Sequence, residues 1–168
     1  MKDPVVMAVG DDGSAHAANS RQAWKMLFLL GLGVALVGLT DLAMLVYPAR
    51  LSSLDWEFGT ISGIIDGLPL VTLGFGIMTA SAVARGWLAG RRFMIGVTLV
   101  AAVIVVLMVI VFVLDIPAAL RAVDPALRPT IKKAAAKTSA MGLIYSLLYA
   151  TLGIWVWRLR GTVKGAVR

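Results

Sequence analysis

Four long apolar stretches dominate this sequence, and short charged segments separate them. Each is about as long as the 20 or so residues that an α-helix needs to cross the hydrocarbon core of a bilayer. Inside lipid every backbone polar group must be paired within the chain, so even the Val/Ile-rich third stretch is predicted to be helical. The sequence therefore predicts an all-α polytopic membrane protein, a four-helix transmembrane bundle with spans at about 24–46, 61–84, 93–116 and 139–157.

The segments outside a transmembrane domain at 21–160 are predicted to be tails. Residues 1–20 are rich in Gly, Ala, Ser, Asn and Asp without periodicity, which predicts a disordered cytoplasmic tail, and 161–168 form a short basic tail. Four spans place both termini on one side, which then carries ten Lys and Arg against six on the other. This excess predicts cytoplasmic termini in a bacterial inner membrane. The basic connection 117–138 opposes that orientation.

Composition narrows the chemistry that the chain can perform. The sequence has no cysteine, so disulfides and thiolate metal sites are excluded, and its one histidine, His16, lies in the polar tail. We therefore expect no haem, metal or other cofactor held inside the membrane. The net charge of +7 is typical of Lys and Arg that flank membrane spans rather than of nucleic-acid binding. The expected partners are membrane lipids and other membrane subunits, or further copies of the chain.

Three acids lie in or at the ends of the predicted spans, namely Asp41, Asp66 and Asp115. A charge at the bilayer centre costs on the order of 3 kcal/mol, so each acid calls for a reason. In the orientation above all three lie towards the outer face. One interpretation is a cluster with Asp55 and Glu57 that binds a cation or a cationic partner. The other is a set of interfacial acids that pair with nearby basic residues, among them Arg50, Arg121 and Lys137, or cap backbone.

Asp66 is the preferred candidate among these acids. Gly63, Gly67 and Pro69 surround it, and a proline inside a span leaves the carbonyl four residues earlier without its donor. A kink near Asp66 is expected. Irregular backbone at membrane depth is tolerated where it is buried in protein or lines a wet cavity.

Two further sets of residues are candidates for contacts. Aromatic residues between the first two spans predict a short surface helix at 54–58 that docks a partner through Trp56, Phe58 and Arg50, and helical pieces on the membrane surface are expected within 117–138. Small residues recur at helical spacing and predict close helix packing. They are Gly31, Ala35, Gly38, Gly63, Gly67, Gly142, Ser146, Ala150 and Gly153.

The segment Trp56–Gly74, WEFGTISGIIDGLPLVTLG, resembles the HpsJ-like small cyanobacterial membrane proteins, which are associated with polysaccharide production and exosortase loci. In that group a first span ends in an acid and a Pro-rich exit. A Trp-Glu-Phe segment, a Pro-Leu-x-x-Leu-Gly entry and an Arg-rich turn follow. Asp41, Pro48, Trp56–Phe58, Pro69–Gly74 and Arg91–Arg92 occur here in that order. The likeness covers roughly residues 30–130 and ends in the last part, which here is Ala/Lys-rich and adds a span. The resemblance implies a polytopic protein and no catalytic residues.

Three functions fit the sequence. The first is an accessory or scaffold subunit of a larger membrane complex, without catalytic activity of its own. The second is a small transporter or channel with a path beside Asp66 and Pro69, for which Thr72, Thr79 and Ser81 offer a thin polar trail. The third is a membrane enzyme that acts on a lipid-linked substrate at the outer face through Asp55, Glu57 and Asp66, although no recognisable catalytic motif is present.

Overall fold

The computed structural model describes residues 12–47 and 54–165, and within them it leaves out the side chains of 12–21, 54, 55, 57 and 160–165. This part of the chain forms four helices, each long and apolar enough to cross a membrane, and it contains no strand. The protein is thus an all-α, multi-pass membrane protein. The helices are α1 (Asp12–Val46), α2 (Leu54–Ala84), α3 (Leu88–Ala122) and α4 (Arg128–Gly165).

The helices extend beyond the predicted spans at almost every end. α1 begins at Asp12, so residues 12–20 are helical rather than a disordered tail. Residues 161–165 likewise continue α4. The predicted surface helix at 54–58 is the first turn of α2. Alanine favours helix once a span has nucleated it, and Ala15, Ala17 and Ala18 lie in the extension of α1.

The predicted long connection at 117–138 is also mostly helix. α3 continues through Pro117 to Ala122, and α4 already begins at Arg128. Only residues 123–127 link them, in a turn where the Asp124 carboxylate accepts a 2.9 Å hydrogen bond from the backbone N–H of Ala126. The expected separate surface helices are therefore wrong. Membrane helices tolerate proline because neighbouring groups satisfy the freed carbonyl, and α2 likewise continues through Pro69.

The turn between α2 and α3 is tight, as the basic segment RGWLAGRR predicts. Gly86 adopts a φ of 69°, a left-handed conformation that glycine takes without steric cost. The side chain of Arg91 donates a 2.8 Å hydrogen bond to the carbonyl of Val83 in the last turn of α2. The Trp87 ring packs edge-on against Phe28 of α1, with 5.4 Å between ring centroids.

Helix α2 is the centre of the bundle. It packs against all three other helices, and α3 packs against α4, whereas the backbone of α1 closely approaches that of α2 alone. The main core lies where α2, α3 and α4 meet, around Ile65, Val109 and Tyr149. A second cluster joins α1, α2 and α3 through Ala35, Met78 and Met94. The bundle is therefore a three-helix unit with α1 attached to one side.

Glycine determines how closely α1 approaches α2. A Cβ atom added to Gly74 would lie 2.6 Å from the backbone nitrogen of Ala35, and one added to Gly31 would lie 2.9 Å from the carbonyl oxygen of Gly74. Gly38 faces Val71 in the same way. The small residues predicted on α1 thus lie against the backbone of α2, where any larger side chain would push the helices apart.

The contacts between helices define a common depth scale. Gly38 lies opposite Val71, and Gly153 lies opposite Thr98. At about 1.5 Å per residue, these registers bring Lys25, Arg85, Arg92 and Arg158 to one level, the basic end of the bundle. Asp115 and Lys137 share a second level roughly 35 Å away, close to the thickness of a hydrocarbon core of about 30 Å.

Candidate functional site

The clearest polar site links α2 to α4 near the level of Lys137. The ammonium Nζ of Lys137 lies 3.6 Å from Oδ1 of Asp66. About one turn away, the hydroxyls of Ser62 and Thr138 are 3.1 Å apart and hydrogen-bonded. α2 and α4 run in the same direction here, and Lys137 reaches along the interface from the membrane boundary to Asp66. The structure therefore pairs the preferred candidate acid with one of the cations proposed for it.

Asp66 itself lies on an open face of α2. Gly67 faces α1 and Ser62 contacts α4. At about 100° per residue these two directions are about 140° apart, and Asp66 lies between them. The exposed residues of α2 continue this face at helical spacing: Gly59, Asp66, Pro69, Leu70, Leu73, Ala80 and Ala84. One stripe of the central helix is thus uncovered along its length.

We call this uncovered stripe and the side chains beside it the α2 groove. Its α4 wall includes Tyr145 and Leu152, which with Pro69 and Leu73 line a depression of about 580 Å³. α1 stands on the other side, and the backbones of α1 and α4 make no close approach in the part of the chain that the structure describes. Apart from Asp66, the exposed residues of α2 in this groove carry no charged or polar side chain.

Asp41 opens onto the same groove. Asp41 lies nine residues after Leu32 on α1, and nine residues at about 100° each place the two side chains on opposite sides of the helix. The same spacing on α2 places Asp66 opposite Phe75. Leu32 and Phe75 both pack into the cluster with Met94 of α3, and the two acids therefore face away from α3. The contact between Leu42 and Gly67 sets Asp41 and Asp66 within about one turn of the same depth.

Asp115 and Phe58, two further candidates, lie apart from this face. Asp115 is half-buried at the level of Lys137, and its Oδ2 has no hydrogen-bond partner among the described residues. The Phe58 ring stacks on Phe112 of α3 with 4.6 Å between centroids, so it is engaged inside the bundle rather than presented to a partner. Trp56 is half-buried. Arg50 and the side chains of Asp55 and Glu57 lie outside what the structure describes.

The small residues of α4 contact the core of the bundle. Gly142 lies against Val109. A Cβ atom added to Gly153 would lie 2.9 Å from the hydroxyl oxygen of Thr98. Ser146 is buried and donates to the carbonyl of Leu143. Ala150 packs against the main core. Gly63, on α2, faces Leu45 of α1.

Several hydroxyls within the spans form internal hydrogen bonds. The Thr72 hydroxyl donates to the carbonyl of Leu68 at 2.8 Å, so the hydroxyl of Tyr149, 2.7 Å away, must donate to Thr72. Ser81 donates to the carbonyl of Ile77. The Thr79 oxygen is buried without a partner among the described residues. The predicted polar trail inward from Asp66 is therefore a set of local bonds rather than a continuous path.

Sequence reasoning did not identify the pairs Ser62–Thr138 and Thr72–Tyr149. The polar residues were visible in the spans, but the pairing depends on the relative position of α2 and α4. No group of three metal-ligating side chains occurs among the described residues. No protein-family model, curated protein or solved structure matches the chain.

Proposed function

We propose that this protein is a small membrane subunit that holds a partner within a larger membrane complex and catalyses no reaction itself. The observation that carries the proposal is the α2 groove. α2 packs against all three other helices, yet it leaves one stripe open between α1 and α4. That stripe ends in charged residues rather than in lipid-like side chains alone.

Three properties of the groove favour a protein partner over a transported solute. Its residues form a shallow apolar surface, which suits a helix better than a hydrated ion. The hydroxyls of Thr72 and Ser81 donate their protons to carbonyls within the bundle, so they have no proton left to donate to a passing solute. Asp66 is already paired with Lys137. Association of membrane helices relies on such close packing and on a few polar contacts.

The test is purification of the tagged full-length chain from its native membrane in a mild detergent. A companion protein in constant stoichiometry is expected. It should be lost when Leu73, on the open stripe, is changed to Trp and kept when Leu107 is changed to Trp. Both leucines are 56% exposed, but Leu107 lies on α3 outside the groove. A monodisperse protein without a companion would contradict the proposal.

We further propose a bacterial inner-membrane location with cytoplasmic termini. The basic end carries Lys25, Arg85, Arg91, Arg92 and Arg158, with no acid among the described side chains at that end, and positive charge marks the cytoplasmic side. Since the chain has no cysteine, single thiols can report orientation. A membrane-impermeant maleimide should label Ala126→Cys in intact cells and Ala89→Cys only after permeabilisation; the reverse pattern would contradict the orientation. The likeness to HpsJ-like proteins adds polysaccharide production as a proposed setting.

A further inference from the structure

The carboxylate of Asp41 has no counter-ion in the described part of the protein. It lies on the exposed side of α1, and the register with α2 sets it roughly 10 Å inside the level of Lys137. A carboxylate at this depth is costly in lipid. The neighbouring Asp66 has Lys137 within 3.6 Å, but Asp41 makes no ion pair or hydrogen bond there. Among the described residues, one negative charge on the edge of the α2 groove is therefore without a partner.

We propose that the α2 groove receives one transmembrane helix of another protein, and that a lysine or arginine of this helix pairs with Asp41. This inference rests on the proposed subunit function and adds the chemistry of the partner. A Lys or Arg side chain is long and flexible, and it can reach a carboxylate from a backbone that lies in the groove. The apolar residues below, such as Leu73 and Tyr145, would contact the rest of that helix.

Two other occupants fit the charges less well. A second copy of this chain, packed symmetrically through α1, would bring one Asp41 against the other, and like charges repel. The described cation nearest in depth, Lys137, is engaged by Asp66. An anionic lipid would place its phosphate beside the Asp41 carboxylate, and like charges repel. A helix with a basic residue would pair with Asp41 and cover the apolar stripe at once.

The experiment measures energy transfer between the labelled full-length protein and synthetic transmembrane helices in phosphatidylcholine vesicles. One Leu/Ala helix carries a single Lys about seven residues below its outer end, at the depth of Asp41. Two matched helices carry Glu or Leu at that position. The Lys helix should bind about tenfold more tightly than the Leu helix, the range expected for one polar contact between membrane helices. The Glu helix should bind no better than the Leu helix.

Variants of the protein locate the contact. Asp41→Asn should abolish the advantage of the Lys helix, whereas Asp124→Asn, which removes an exposed acid in the link between α3 and α4, should keep it. Leu73→Trp should weaken binding of every helix, and Leu107→Trp should not. Equal binding of the Lys helix to the parent and to Asp41→Asn would overturn the proposal. So would energy transfer between two labelled copies of the chain that depends on Asp41.

The outcomes separate this inference from the proposed function. If a native companion co-purifies with the parent and equally well with Asp41→Asn, the protein is a subunit but the proposed ion pair is wrong. If no companion co-purifies with the parent, the subunit function fails. If the companion is lost in Asp41→Asn and kept in Asp124→Asn, and the Lys helix behaves as expected, both proposals are supported.

Discussion

Replacement of Gly74 by alanine tests the close contact on which the position of α1 depends. The added Cβ would lie 2.6 Å from the nitrogen and 2.7 Å from the Cβ of Ala35, and 2.7 Å from the carbonyl oxygen of Gly31. Two of these atoms belong to backbone, so no side-chain rotation relieves the overlap. Gly76 is the matched control, because it lies in the same helix and a Cβ there meets nothing within 4 Å.

The size of the expected loss of stability in Gly74→Ala follows from this overlap. Ordinary contacts begin at 3.4 Å, so α1 must move away by roughly 0.8 Å, and a gap of that size forfeits about a quarter to a half of the dispersion energy of each contact along the interface. Overpacking of this kind costs about 1–3 kcal/mol. Both substitutions gain about 0.5–1 kcal/mol from higher helix propensity, and this gain cancels between them. We therefore expect Gly74→Ala to be less stable than Gly76→Ala by about 1–3 kcal/mol.

A buried thiol provides the assay. Met78 is 2% exposed and packs with Ala35 at the interface of α1 and α2. In a Met78→Cys background, which holds the only thiol of the chain, a maleimide can react only when α1 moves away. The expected difference corresponds to roughly 5- to 150-fold faster labelling for Gly74→Ala, at about tenfold per 1.4 kcal/mol. Equal labelling rates for the two variants would refute the argument that backbone proximity positions α1.

Two further predictions concern the interface of α2 and α4. Tyr149→Phe removes the hydroxyl that donates to Thr72, so we expect the free energy of unfolding in detergent to fall by about 1 kcal/mol. The control Tyr145→Phe removes no hydrogen bond recorded in the structure and should change this free energy little. Equal losses in the two variants would contradict the assignment of the donor. For the Asp66–Lys137 pair, in which both side chains are at least half exposed, a double-mutant cycle with Asp66→Asn and Lys137→Gln should give a coupling of about 0.5–1 kcal/mol. Additive effects would show that the ion pair contributes nothing.

Hydropathy predicted the number and type of the helices because the bilayer imposes a length and a hydrogen-bonding requirement on each span. It could not predict where the helices end. Beyond the lipid boundary the end depends on local propensity and on turn geometry, and here α3 passes Pro117 and stops before a turn built on Asp124. The alanines at 117–138 predicted helical pieces, but neither they nor the prolines showed that these pieces continue α3 and α4.

The sequence predicted individual residues of the candidate site but not how they pair. Asp66 and Lys137 were each recognised as charges near one membrane face, but they are 71 positions apart, and their pairing depends on the parallel arrangement of α2 and α4. The exposure of Asp41 depends on the backbone of α1 closely approaching that of α2 alone. Periodicity within one helix shows which faces are apolar or small. It does not show which neighbour covers each face, and therefore it does not show which face remains uncovered.

The close backbone contact of α1 with α2 has a consequence for biosynthesis. The first hairpin can close through Gly31 and Gly74 as soon as α2 has left the translocon, before α4 has joined the bundle. The α2 groove, however, has its two walls in the first and the last helix of the chain. A truncated or stalled chain without α4 has only one wall and lacks Lys137. Partner recruitment through this surface would therefore begin only after the whole protein has been synthesised, and incomplete chains would be kept out of the assembly.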